Sequence, residues 1–354
     1  MPSCKLQHRP QSMWAFPLNV YLLAVVSAAV TVLATLPAWR KWCLRTGLVD
    51  DPGGRKIHDQ PIPLAGGLAV MTGLLLPALI AAGVLWWKGT LVNPVAPSAG
   101  SARSAFGPPA IYLLQYGLSH RAVELGAIFL GAFGMLLVGW LDDKHELRPS
   151  AKFVGQFLVA ALVAASGARI TLFVHSLFFH YAITILWILT VINAFNFMDN
   201  MNGLCAGLGA IGAWYFALVA AAGGQYLVAL IAFLCFGALL GFLPYNFPRA
   251  AAFLGDAGSH LVGYLLAVLA ILPHFYTRYQ PRRWAVLIPL FVLSVPLLDL
   301  VWVVWLRWRK GLPFYQGDTN HLSHRLVRRG LSQTKAVLVI WLAAAATGGV
   351  VCYL

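Results

Sequence analysis

The stretch GWLDDKHELRPSAKFVGQ, residues 139–156, ends one long apolar run and begins another, with two adjacent aspartates at the boundary. Apolar run, short charged connection, apolar run is the pattern of two helices crossing a bilayer and turning at its surface. The chain has 354 residues and only 11 acids, yet it places two of them side by side at this edge. Charge there costs free energy and asks for a compensating role.

Composition extends this reading to the whole chain. Hydrophobic residues make up 60% and charged residues 10%, against roughly a quarter charged in soluble domains. The formal charge of +14 does not point to nucleic acid, because no basic surface interleaved with aromatics is present. The Lys and Arg residues sit instead in short loops between apolar runs. About ten runs are long enough to span a bilayer: 17–38, 64–87, 122–141, 152–168, 177–197, 203–222, 225–243, 257–274, 285–306 and 334–353. The first exceeds the core of a signal peptide and lacks a small-residue cleavage site, so it is read as a retained helix. Segment 88–121, rich in Pro, Gly and Ser, reads as a loop. The five cysteines show no CxxC pairing and are read as small buried hydrophobes. No repeat is apparent. The expected fold is all-α: a polytopic integral membrane protein with about ten transmembrane helices, forming one membrane-embedded domain over 1–354.

Ten alternating crossings divide the loops into two sets. With helix-end residues assigned to the nearer side, the set 39–63, 142–151, 198–202, 244–256 and 307–333 carries 16 of the 25 Lys and Arg residues, which makes it cytoplasmic by the positive-inside rule. Ten of the 11 acids lie on or near that side, all except Glu124. Acids contribute little to insertion topology, so a function clustered on one face explains the asymmetry better.

Asp142 and Asp143 follow an apolar run, where negative charge opposes the helix dipole. They suit binding of a divalent cation or acceptance of a substrate proton, although Lys144 and Lys152 stand nearby as neutralising neighbours. NAFNFMDNMNGL, 193–204, gathers Asn193, Asn196, Asp199, Asn200 and Asn202. Its amides can hydrogen-bond a base or ribose and its carboxylate can help hold a metal; a turn alone needs fewer such residues. In FLGDAGSHLVGY, 253–264, Asp256 stands between glycines at a helix start. That position suits either an N-cap or a Mg2+ ligand beside a diphosphate. RWRKGLPFYQGDTNHLSHRLVRRGLS, 307–332, brings Asp318, His321, His324 and Arg325 together. Two histidines without a third soft ligand suit zinc poorly, whereas Arg325 beside them suits phosphate oxygens. DDPGGRKIHDQPIPLAGG, 50–67, adds Arg55, Lys56 and His58 as phosphate-binding groups. Asp299, inside an apolar run, serves either the site or a structural hydrogen bond.

Carboxylates with phosphate are the usual surroundings of Mg2+, with Mn2+ as the alternative, and phosphoryl transfer needs positioning and charge neutralisation above all. The implied reaction moves a phosphorylated group from a soluble nucleotide to a lipid phosphate. A transporter relaying ions would instead place acids in mid-helix on several helices, and here Asp299 alone qualifies.

Five motifs in order over 45–335 are similar to those of the polyprenyl-phosphate N-acetylhexosamine-1-phosphate transferases. They are DDPGGRKIHDQPIPLAGG, GWLDDKHELRPSAKFVGQ, NAFNFMDNMNGLCAG, FLGDAGSHLVG and DTNHLSHRLVRRGLS. The resemblance implies attack by undecaprenyl phosphate on the β-phosphorus of a UDP-sugar, with UMP leaving. It implies metal binding or deprotonation by Asp142 and Asp143, Mg2+ at Asp256, nucleotide handling by Asn196 and Asp199, and a grip on the donor by His321, His324 and Arg325. HLSHRL looks more like the branch that uses UDP-N-acetylglucosamine than the branch that uses the muramoyl-pentapeptide donor. Two departures stand out. The common Asp-Gly-x-Asp-Gly reads Asp199-Asn200-Met201-Asn202-Gly203, and the common His-x-His-His-Arg reads His321-Leu322-Ser323-His324-Arg325. They keep open a non-catalytic relative that organises an assembly. The expected setting is the inner membrane with the site facing the cytoplasm; a homodimer is compatible with this, though no residue calls for one.

Overall fold

The computed structural model describes residues 16–52, 60–91, 117–171, 174–273, 283–313 and 318–353. The helices are α1 (Leu18–Thr46), α2 (Gly66–Leu91), α3 (Ala122–His145), α4 (Pro149–Ser166), α5 (Leu177–Met198), α6 (Leu204–Ala222), α7 (Tyr226–Asn246), α8 (Gly255–Leu269), α9 (Ile288–Val292), α10 (Ser294–Arg309), α11 (Leu322–Arg328) and α12 (Gln333–Gly349). Two short strands, β1 (Val49–Asp50) and β2 (Ile62–Pro63), pair antiparallel.

All ten apolar runs are helical, but they are not ten equal spans. Among the described residues, eight helices are long and apolar enough to cross a membrane. The run at 285–306 is a broken element: the segment ending in α9 meets α10 at 71° and counts as a ninth span if taken whole. The run at 257–274 is α8, only 15 residues long. Every residue from Ala257 to Leu269 is buried, so its apolar text faces protein rather than lipid. Composition alone does not separate the two cases.

Helix α8 is the axis of the fold, packing against α2, α3, α5, α6 and α7. Small residues allow this crowding. A Cβ on Gly67 would lie 2.6 Å from the Gly258 nitrogen, and one on Gly263 would lie 2.7 Å from the Ile192 Cα. Gly139 of α3 meets the backbone of Asp256 and Ala257 so closely that no side chain fits. The same device joins α1 to α7: Gly237 and Gly241, one turn apart, face the backbone of Val25 and Ala29. Outward faces carry apolar side chains, such as Leu22, Leu23 and Val26 on α1 and Phe153, Val154 and Leu158 on α4. That exposure suits hydrocarbon.

The loop before α8 is tied down from two sides. The Phe253 amide donates to the Pro63 carbonyl at 3.0 Å, and the Gly66 amide donates to the Phe253 carbonyl at 2.9 Å. The β1–β2 ribbon, the start of α2 and the start of α8 therefore form one bonded floor. Cys43, Cys205 and Cys235 are buried and unpaired as expected, whereas Cys352 is exposed.

Candidate active site

The N-terminal end of α8 is where the loops converge. Gly255 adopts φ +68°, and a Cβ there would lie 2.7 Å from the Asp143 carboxylate, so this turn needs glycine both for its backbone and for space. Asp256 is not the N-cap that its sequence position allows. It is the second residue of the helix, and no side chain of the preceding residue caps the end. The cap comes from α3: Asp143 accepts the Asp256 amide on Oδ1 at 2.7 Å and the Ala257 amide on Oδ2 at 3.0 Å. A carboxylate is favoured there by the unpaired N–H groups and the positive end of the helix dipole.

The aspartate pair lies in the last turn of α3 rather than beyond it, since that helix runs to His145. Asp142 accepts the Leu147 amide at 2.9 Å and pairs with the Lys152 ammonium at 2.6 Å. Lys152 also reaches Asp256 at 3.3 Å. One lysine on α4 thus bridges two acids from α3 and α8, which makes it a component of the cluster rather than a bystander.

The last turns of α5 supply the amides. Asn196 donates to Asp256 Oδ1 in a short hydrogen bond and contacts the Ser259 hydroxyl at 3.0 Å. Asn193 donates to Gln156 at 2.9 Å, and Gln156 contacts His260 Nε2 at 3.2 Å. Gln156 and His260 are both buried, forming a polar layer one turn below Asp256. Asp199 differs from its neighbours: among the described residues its carboxylate has no hydrogen-bond donor and no cation. Burial pushes its pKa well above the usual carboxylate range, and the charges of Asp256, Asp143 and Asp50 push it further. Asn202 turns to the Pro248 carbonyl at 3.2 Å, where it braces the α7–α8 connection.

The C-terminal loop completes the site. Asp299 is a structural anchor serving the site: it takes His321 Nδ1 at 2.7 Å and the Leu322 amide at 2.6 Å. Both side chains are buried, Asp299 at 4% exposure and His321 at 5%, so the ring is locked. Arg307 lies over the Phe197 ring at 4.8 Å and bonds Asp318 at 3.1 Å. Against the upward push of burial, the Asn320 amide and Arg307 hold Asp318 below the usual range. Ser323 donates to Asn200 at 2.6 Å, linking α11 to the end of α5. Burial, with His321 and Arg328 nearby, lowers the pKa of His324 from its ordinary 6.5. Arg325 stacks over Trp302 at 4.8 Å. Lys56 and His58, with Arg55, lie outside the described residues.

Asp142, Asp143, Asn193, Asn196, Asp199, Asn200, Asp256 and the α11 residues therefore belong to one end of the bundle. Lys152, Gln156, His260 and Asp299 are the groups that local patterns did not assign to the site. Among the described residues no three His, Cys, Asp or Glu side chains group into a ready metal cage. Mg2+ does not require one, since one or two carboxylates plus substrate phosphates suffice. Among the described residues Asp199 has no partner, and burial with the nearby acids disfavours its ionised form, which a bound cation would favour.

The fold and this end define the class: a multi-pass α-helical membrane protein with an acid- and amide-lined cluster around a helix N-terminus. Residues 125–274 match the model of glycosyl transferase family 4. The chain is 30% identical over 329 residues to the probable undecaprenyl-phosphate N-acetylglucosaminyl 1-phosphate transferase of Bacillus subtilis (strain 168), covering 91% of this chain and 81% of that protein. It is 32% identical over 347 residues to the decaprenyl-phosphate N-acetylglucosaminephosphotransferase of Mycobacterium tuberculosis (strain ATCC 25618 / H37Rv), covering 91% and 79%. The undecaprenyl-phosphate alpha-N-acetylglucosaminyl 1-phosphate transferase of Yersinia pestis is 26% identical over 327 residues, with 88% and 78% covered. The chain belongs to glycosyl transferase family 4.

Proposed function

We propose that this protein transfers N-acetylglucosamine 1-phosphate from UDP-N-acetylglucosamine to a polyprenyl phosphate such as undecaprenyl phosphate, as the first membrane step of a cell-wall or surface polysaccharide. An oxygen of the lipid phosphate attacks the β-phosphorus of the donor. The bond from that phosphorus to the bridging oxygen breaks, and UMP leaves with the electron pair. A lipid diphosphate sugar is formed. The observation that carries this reading is the convergence of carboxylates and amides from α3, α5 and α8 around one helix start, with Asp199 having no counter-charge among the described residues. The names of the relatives support the acceptor class and the sugar.

Asp199 and Asp256 are the residues that would hold Mg2+, or Mn2+, and the ion would neutralise charge on the diphosphate. Asp143 fixes the start of α8 and so aims Asp256. Asp142 shares Lys152 with Asp256, which leaves that ammonium close to the arriving phosphates. A lipid phosphate is ionised near neutral pH, so the pair's part lies in placing charge more than in removing a proton. Asn193 and Asn196 line the nucleotide side, Asn200 stands behind them with both ends of its amide bonded within the protein, and His321, His324 and Arg325 contact the donor's anionic and sugar oxygens. The site faces the cytoplasm, where nucleotide sugars are available.

The test uses membranes or purified protein with radiolabelled UDP-N-acetylglucosamine, undecaprenyl phosphate and Mg2+, with lipid product followed by thin-layer chromatography. Product that vanishes with EDTA and with Asp256→Ala is expected. Undiminished turnover by Asp256→Ala would refute its assigned role, and no product from any UDP-sugar would refute the function.

A further inference from the structure

Asn200 uses both ends of its amide. Its nitrogen donates to the Phe197 carbonyl at 2.6 Å, closing the last turn of α5, and its oxygen accepts the Ser323 hydroxyl at 2.6 Å. Ser323 is 1% exposed and lies in the first turn of α11. The hydrogen bond therefore joins two segments more than a hundred residues apart in the chain. On one side of it stands Asp199, which has no partner among the described residues; on the other stand His324 and Arg325, the next two residues of α11. Asp299 holds His321 and the first amide of α11, that of Leu322, whereas the Asn200–Ser323 bond ties α11 to the end of α5. It also joins two positions at which the chain departs from the motifs it resembles. A glycine at 200 would supply neither half of the bond, and a histidine at 323 would remove the buried hydroxyl that donates it.

We propose that Asn200 and Ser323 form a positioning pair that sets the width of the donor site between the Asp199 carboxylate and the His324–Arg325 end of α11. The departures at 200 and 323 thus act as one matched unit, whereas the one at Asn202 faces the Pro248 carbonyl. This rests on the transferase reading above. Because the pair touches the donor side, its loss should weaken capture of the nucleotide sugar while leaving the lipid acceptor and the chemical step alone.

Steady-state kinetics of the purified full-length protein test this with Asn200→Ala, Ser323→Ala, the double variant and Ser323→Thr, which keeps the hydroxyl. Each single Ala variant should raise KM for UDP-N-acetylglucosamine about tenfold, the order expected when one partner of a buried hydrogen bond is lost. The kcat and the KM for undecaprenyl phosphate should stay within about twofold of wild type. The double variant should be no worse than the weaker single, since both remove the same bond, and Ser323→Thr should remain close to wild type. Strictly additive effects, or a fall in kcat at unchanged donor KM, would overturn the pair's role. If Ser323→Ala fails to fold, the Ser323→Thr and Asn200→Ala comparison carries the same two outcomes. A wild-type protein that makes no product from UDP-N-acetylglucosamine would instead overturn the function from which this inference starts.

Discussion

Asp299 is a carboxylate inside an apolar helix, and its two oxygens are used by the His321 ring and the Leu322 amide. That arrangement explains why an acid is tolerated at such a depth: each oxygen is matched by a donor that would otherwise be buried unpaired. It also fixes which nitrogen of His321 stays available, because Nδ1 is committed to the acid. Asp299→Ala should strand both donors and release the ring, lowering kcat/KM for UDP-N-acetylglucosamine by at least about tenfold. Asp299→Asn, which can still accept from one of the two donors, should fall between Ala and wild type. Initial rates measured over a range of donor concentrations check this, and an Asp299→Ala enzyme as efficient as wild type would remove Asp299 from the account. The sequence left this residue undecided between a role in the site and a structural bond. Its contacts show the structural bond: it is buried and holds the His321 ring and the Leu322 amide.

At the scale of elements, the fold depends on close approach to α8. Gly139 shows the constraint most sharply, since a side chain there would collide with the backbone of Asp256. Gly126, on the same helix, has open space around its Cα. Gly139→Ala should therefore push α3 off α8 and displace Asp143 from its cap. The expected cost is at least the 1–3 kcal/mol typical of overpacking, because the obstacle is backbone and cannot rotate away. Gly126→Ala should leave stability unchanged or slightly raised. Melting temperatures of the two variants in the same detergent decide the matter: a clear drop for Gly139→Ala alone is expected, and equal values would contradict the packing described. Here the limits of sequence are physical. The apolar run at 257–274 does not reveal whether it faces lipid or protein, because lipid and protein interior select the same side chains. Only three-dimensional packing shows that α8 is enclosed by five helices. The link from Gln156 to His260 joins positions 104 residues apart, and no local periodicity can report such a pair. The same holds for Asp143, whose donors belong to another helix.

Across the whole molecule, the distribution of acids was legible for a simple reason. Charge in hydrocarbon is expensive, so the polar loops stand out against the apolar text, and their alternation assigns them to sides. The structure then brings Asp142 and Asp143, Asn196 and Asp199, Asp256 and the α11 segment to the same end of the bundle. What remained hidden was how these groups share partners: Lys152 between two acids, Asp143 as a distant cap, Asn200 as a bridge. The proposed function requires these loops to form one site on one side of the bilayer, the side on which nucleotide sugars would arrive. Single cysteines placed in a background lacking the natural ones, at exposed Arg148, Arg249 and Thr319 at the site end and at exposed His120, His175 and Gly224 at the other, test it most directly. In intact cells a membrane-impermeant maleimide should label 120, 175 and 224, and should reach 148, 249 and 319 only after the membrane is opened. Labelling of any of 148, 249 or 319 from outside, with the others still protected, would contradict the account.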